Sequence, residues 1–153
     1  MMIEEQLELN FMTLIRTRMQ AFTGSFAVEG SWQVPADGKV KEIEINKPEI
    51  SLITAPIEND AIGVNSYMTT INVDILVPRS QDPRALIRNQ IAAIMLPFIR
   101  SFAGNCNATI KAALSGDDYK VVGTFDEGGA NTYDNESGLW VISRVIKVKL
   151  TTK

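Results

Sequence analysis

From Tyr67 to Val77 the chain alternates, with Tyr67, Thr69, Ile71, Val73, Ile75 and Val77 on one side and Asn72 and Asp74 on the other. A period of two belongs to a β-strand that buries one face. It also pins the strand's register, because a slip of one residue would turn every inward side chain outward. The strand runs into the polar link Pro78-Arg79-Ser80-Gln81, after which the period becomes helical. Ile87, Ile91, Ile94, Met95, Phe98, Ile99 and Phe102 share one side, which reads as core packing and not as a cofactor pocket. Asp82-Pro83 predicts the start of this helix, since aspartate accepts from free first-turn amides and proline needs no donor there. Pro97 cannot donate to the carbonyl four residues back, which predicts a kink or break near residues 93 to 97. Gly104 closes the element.

Either side of this unit the same rules give a coarse map. Ile3, Leu7, Phe11, Leu14, Ile15, Met19 and Phe22 recur at helical spacing, so an amphipathic helix is predicted from Ile3 to about Phe22. Glu4, Glu5 and Glu8 lie toward its start and Arg16 and Arg18 toward its end, the polarity that the helix dipole favours. Short strands are predicted at Phe26 to Val28, Trp32 to Val34 and Val40 to Ile45, with a turn at Pro35-Ala36-Asp37-Gly38. Ile50 to Thr54 predicts another strand, joined to the one at Tyr67 by an extended polar loop from Pro56 to Asn65. Asn107 to Leu114 is ambiguous, and Asp117 to Phe125 predicts a strand. Asp126 to Gly138, polar and glycine-bearing, predicts a loop. The final strand, Leu139 to Leu150, puts Trp140, Ile142, Ile146, Val148 and Leu150 on one face, with Arg144 as the exception.

With 153 residues, 45% of them hydrophobic, the chain fits one α+β domain, residues 1 to 153, with a real core. A net charge of -3 and an isoelectric point near 5.0 leave no global basic field for nucleic acid or an anionic membrane. The longest apolar run, Ile91 to Ile99, falls well short of the roughly 20 residues that span a bilayer. The acids that follow Met1 differ from the basic start of a signal peptide, and Cys106 is the only cysteine, so a reducing, intracellular site of folding is expected. There is no histidine, which excludes Ser-His-Asp and Cys-His machinery and every histidine-containing metal site. No cofactor, metal or enzymatic activity is predicted.

Two charged groups remain as candidate contacts. Arg79, Arg84 and Arg88 gather at the start of the second helix, where the dipole favours acids by roughly 0.3 to 1 kcal/mol per exposed charge. They either meet an acidic surface of a neighbouring subunit or are a solvated helix face. The acids are Glu58 and Asp60 in the first polar loop and Asp126, Glu127, Asp134 and Glu136 in the second. Both loops offer contacts to a partner, and the acids of the second could also coordinate a hard cation or act as acid and base, although a solvated run is the commoner role of such a loop.

The order of elements resembles the tail terminator family of long-tailed bacteriophages, the lambda-like minor tail proteins, over about residues 48 to 150. The residues that carry it are Pro48-Glu49-Ile50-Ser51-Leu52-Ile53-Thr54, Tyr67 to Leu76-Val77-Pro78, Ile94-Met95-Leu96-Pro97-Phe98-Ile99, and Gly138-Leu139-Trp140 at the last strand. The resemblance implies a small antiparallel-rich sheet with helices packed on one side, assembled as a homohexameric ring. Such a ring caps the tail tube, stops its polymerisation and provides the head-joining surface. Its expected partners are other copies of itself, the major tail tube protein and a head-completion or neck protein. Its expected place is the virion tail, assembled in the host bacterial cytoplasm. Another neck or tail ring protein, or a small cytosolic ligand-binding or enzymatic domain using the acid-rich loop, are the alternatives.

Overall fold

The computed structural model describes residues 2–33, 46–60, 65–104 and 108–153. The chain begins with helix α1 (Ile3–Arg18), extended by a 3-10 turn at Met19–Ala21, and then forms β1 (Ala27–Gly30). Strands β2 (Glu49–Thr54), β3 (Glu58–Asn59) and β4 (Tyr67–Pro78) follow. A second 3-10 turn, Arg79–Gln81, leads to α2 (Leu86–Arg100), α3 (Ala108–Leu114) and the long hairpin of β5 (Tyr119–Asp134) and β6 (Leu139–Thr152). The strands make one sheet in the order β1-β2-β4-β6-β5, with β3 also on β4. Only β1 and β2 run parallel, so the fold is α+β with a mostly antiparallel sheet, as the sequence predicts.

The alternating strand sits at the centre because it has apolar side chains to bury and donors to satisfy on both edges. Ile71, Val73, Ile75 and Val77 are buried, facing Ile50 and Leu52 from β2 and Ile142, Ile146 and Val148 from β6. Above this face lie Leu7, Phe11, Ile15 and Met19 of α1 and Ile91, Met95 and Ile99 of α2. Phe11 closes the layer against Phe102, centroids 5.3 Å apart, and Phe98, 6.4 Å away. Phe98 and Phe102 meet edge to face at 5.3 Å. A side chain of this kind contributes about 1.5–3 kcal/mol when fully buried, so these stripes hold the helices on the sheet.

Several boundaries differ from the sequence expectation. Helix α2 begins at Leu86 and not at Asp82-Pro83, because Ala85 adopts a left-handed conformation (φ 58°) that breaks the helical run. Asp82 still caps it from further back, accepting from the amides of Ile87 (3.0 Å) and Arg88 (2.9 Å). The helix is not broken at Pro97 but continues to Arg100, since proline removes one backbone donor while the apolar side keeps its hold on the core. Residues 108–114 are helical. The loop predicted from Pro56 to Asn65 contains β3, which prolongs the ladder on β4 through Glu58↔Met68 and Asn59↔Tyr67. Trp32 is not in a strand. The turn at Pro35 to Gly38 and the strand at Val40 to Ile45 lie outside the described residues, as do Val34 and Cys106.

The largest correction concerns Asp126 to Gly138, which is strand as far as Asp134 and turn only beyond it. Two register shifts, between Val121 and Gly123 and between Asp126 and Gly129, let β5 follow β6 along its length. At the second, Gly128 takes φ +96° and its amide donates to Asp126 Oδ1 (3.1 Å). Gly129 then approaches β6 so closely that a Cβ would lie 1.7 Å from the Ser143 carbonyl oxygen. These glycines make a bulge and a close backbone approach possible; they do not end the strand.

Glu8 does more than suit the helix dipole. It is completely buried on α1, and its carboxyl oxygens accept from the Trp32 amide (2.7 Å), Thr54 Oγ1 (2.7 Å) and Ser31 Oγ (2.9 Å). Trp32 Nε1 donates to the Thr54 carbonyl (2.8 Å). The Ser31 amide still donates to the Leu52 carbonyl of β2 (3.0 Å), and beyond it the chain turns to satisfy the buried acid, tying α1 to β1 and β2.

Candidate functional site

The arginine group predicted from sequence lies where β4 ends, β6 begins and α2 starts. Arg79 follows β4 in the 3-10 turn, and its amide donates to the Gly138 carbonyl (3.0 Å), which holds the turn against the β5–β6 hairpin. Tyr133 and Trp140 are directly opposed across that hairpin, with ring centroids 4.8 Å apart. Arg88, in the first turn of α2, lays its guanidinium 3.8 Å from the Trp140 centroid, and Arg79 lies 5.2 Å from that of Tyr133. The result is a continuous row, Arg79, Tyr133, Trp140, Arg88. Each cation gains about 0.5–1 kcal/mol from the ring face when exposed, and more as water is excluded.

Two clefts open on either side of Tyr133. One, of 340 Å³, runs between α2 and the hairpin and is bordered by Arg88, Asn89, Asn131 and Trp140. The other, of 530 Å³, lies beside the turn and is bordered by Arg79, Pro83, Ser137 and Leu139. The side chains of Arg79, Arg84 and Arg88 have no hydrogen-bond acceptor and no carboxylate at ion-pair distance among the described residues. The acid nearest in sequence, Asp82, is buried and committed to two α2 amides, which offsets the basic crowding at this helix end. So Arg88 lies on a ring and Arg79 near one, and among the described residues neither uses its N–H edges and the exposed Arg84 has no partner.

The predicted acids do not form one loop. Asp126 pairs with Arg144, and its side chain is only 6% exposed. Arg144 sits opposite Gly129, on the far side of the bulge from Asp126. Arg144 Nε and Thr124 Oγ1 are buried without a partner among the described residues. Glu127 is exposed in the bulge. Asp134 shapes its own turn, accepting from Ser137 Oγ (2.8 Å) and the Glu136 amide (3.1 Å); these bonds, the Ser137 one foremost, hold its carboxyl below the usual range. Glu136 is exposed beside it. Glu58 and Asp60 lie at the opposite end of β4, with Asp60 3.8 Å from Lys149 Nζ.

Of the predicted contacts, the structure therefore brings together the arginines and separates the acids into an internal pair, a turn and a distant end. Sequence reading missed Tyr133 and Trp140 as the arginines' partners. The available signal was their cross-strand pairing, hidden once residues 126–138 were read as a loop. Among the described residues no helix is long and apolar enough to cross a membrane.

No family model matches this chain, and no curated protein matches it. A solved structure of a protein whose name specifies no activity aligns over 97% of this chain and 94% of its own at 16% identity, with a TM-score of 0.49. Neither shared function nor a detailed correspondence of sites follows from a likeness at that level.

Proposed function

We propose that the chain is a structural assembly subunit of a long-tailed phage. It forms a hexameric ring on the finished tail tube, stops further addition of tube subunits and presents a surface to the head-completion protein. The observation that carries this reading is the placement of the segments on which the resemblance rests. Pro48 to Thr54 and Tyr67 to Pro78 are paired strands, Gly138 to Trp140 opens the strand on the other side, and Ile94 to Ile99 lies in the helix over them. They are one contiguous packing unit, the centre of the fold. The row of arginines and rings makes one end of that unit unlike the other, and the heterologous subunit contacts that close a ring join two unlike patches.

The test is electron microscopy of the purified protein, alone and with tubes of its cognate tail tube protein. Single rings that cap the tubes and halt their growth are expected. A chain that stays monomeric at high concentration and fails to bind tubes sinks the proposal. Stacking into long tubes would assign it instead as a tube protein. A small ligand-binding domain built on the acids of residues 126–136 has less support, because Asp126 is committed to Arg144 and Asp134 to its own turn. Thermal shifts against a metal and metabolite panel address it, since a ligand at a hundred times its Kd adds about 2.7 kcal/mol.

A further inference from the structure

We infer that each subunit carries both halves of a head-to-tail contact with a second copy of itself: the arginine-lined clefts beside Tyr133 receive the Asp117-Asp118 turn of the next subunit. The inference rests on the ring reading above and deepens it by naming the two surfaces. On the receiving side, a guanidinium stacked on a ring spends its flat face and keeps its N–H edges, the geometry that takes a carboxylate in a bidentate pair. Arg88, 3.8 Å from the Trp140 centroid, is such a group, and Arg79, 5.2 Å from that of Tyr133, stands exposed in the neighbouring cleft. Stacking has already restricted Arg88, so less of its rotamer freedom is lost when an anion arrives. The acids in sequence around them, Asp82 and Asp134, are occupied by the subunit's own hydrogen bonds, and Glu136 points to solvent. Among the described residues, then, no carboxylate of the same subunit meets the N–H edges of Arg79 or Arg88.

On the donating side, Asp117 and Asp118 are consecutive, exposed and free of side-chain bonds to the described residues. The Gly116 amide donates to the Tyr119 carbonyl (3.2 Å) and the Lys153 amide to the Asp118 carbonyl (2.9 Å), so the backbone under them is fixed while both carboxylates protrude. Lys120 lies beside them, and Lys153 Nζ is turned to the Gly116 carbonyl. Tyr119 pairs with Thr152, next to the Tyr67 end of β4, whereas the clefts lie at the Pro78 end. A twelve-residue strand separates the two by about 36 Å. No subunit can fill its own clefts with this turn, and two unlike patches at opposite ends make a heterologous contact, which closes into a ring when the rotation allows.

Charge reversal tests this. Four chains are compared by sedimentation velocity and electron microscopy: wild type, Asp117→Lys with Asp118→Lys, Arg79→Glu with Arg88→Glu, and all four changes together. Thermal unfolding checks each fold. Wild type should form rings, and each double variant should assemble at least tenfold more weakly. An equimolar mixture of the two double variants, and the quadruple variant, should regain assembly. Should Arg88→Glu loosen α2, the aspartate variant decides by itself, because its changes lie on an exposed turn. Wild-type rings with unaltered assembly in the aspartate variant overturn the contact and leave the ring reading in place. A wild-type chain that never assembles, alone or on cognate tubes, overturns both.

Discussion

The buried acid on α1 and the arginines at the end of β4 are opposite uses of charge in one small fold. Glu8 is wholly buried, and three donors of its own chain converge on it. Arg88 lies on the Trp140 face and Arg79 near that of Tyr133, and among the described residues their donors stay unused beside open clefts. A polar group satisfied from within fixes the fold, because every alternative leaves buried donors unpaired. A polar group positioned by packing but unsatisfied has its partner elsewhere. The contrast separates residues whose loss should unfold this protein from those whose loss should disarm it.

Removing the first kind gives the largest expected effect. Glu8→Ala leaves the Trp32 amide and the hydroxyls of Thr54 and Ser31 without their acceptor. At about 1–3 kcal/mol for each buried donor left unsatisfied, with water recovering part of it, a loss of roughly 3 kcal/mol is expected. The urea midpoint would report it, and a midpoint within experimental error of wild type would remove the distinction drawn above. Glu8→Gln, which keeps one acceptor for the Trp32 amide, should fall between the two.

Gly129→Ala comes next, with an expected cost of about 2 kcal/mol, because the new methyl must displace the Ser143 carbonyl from a separation of 1.7 Å. The change should also disturb the Asp126–Arg144 pair that spans the bulge. Hydrogen exchange at β5 amides beyond the bulge would show both effects. A fully stable Gly129→Ala chain would mean that the strand past Asp126 is not held as described.

That stretch also marks how far the sequence could be read. The central strand, both long helices and the final strand were legible because each has a long apolar stripe of one period. Residues 126–134 were not, since Gly128 and Gly129 give the same composition to a bulged strand as to a loop, and only the pairing with β6 distinguishes them. The arginines were found from their charge, but their use was obscured because Tyr133 lies in that misread segment. The buried role of Glu8 was hidden for a different reason. The dipole rule is local, whereas its three partners come from Ser31, Trp32 and Thr54, distant in sequence.

Tyr119 sharpens the comparison through pH. Its hydroxyl donates to the Leu114 carbonyl (2.6 Å) and receives the Asn10 amide (3.3 Å). Burial pushes its pKa from 10.0 up to about 12, against the smaller opposing effect of the Asn10 bond. The folded state therefore keeps a proton that the unfolded chain loses first. This contribution to stability is intact below pH 10 and falls away as pH rises from 10 to about 12. Tyr119→Phe should cost about 1 kcal/mol at neutral pH and flatten the alkaline limb of the stability curve. Identical alkaline slopes in the two chains would show that this phenol does not titrate differently on folding.

The smallest expected effects on stability separate the two kinds of arginine. Arg88→Ala uncovers Trp140 and gives up a stacked cation, a cost of roughly 0.5–1 kcal/mol. Arg84→Ala removes an exposed side chain without a partner among the described residues, and should lie within about 0.5 kcal/mol of wild type. Assembly should rank them in the same order for a different reason. Arg88 presents its N–H edges from a fixed position, whereas Arg84 contributes only a screened charge that moderate salt should cancel. Measured at low and moderate salt, Arg84→Ala should weaken ring formation slightly and only at low salt, while Arg88→Ala weakens it at both. Equal assembly of Arg88→Ala and wild type at low salt would make the stacked arginine a purely internal contact, and the line between satisfied and waiting charges would have to be redrawn around Arg79 alone.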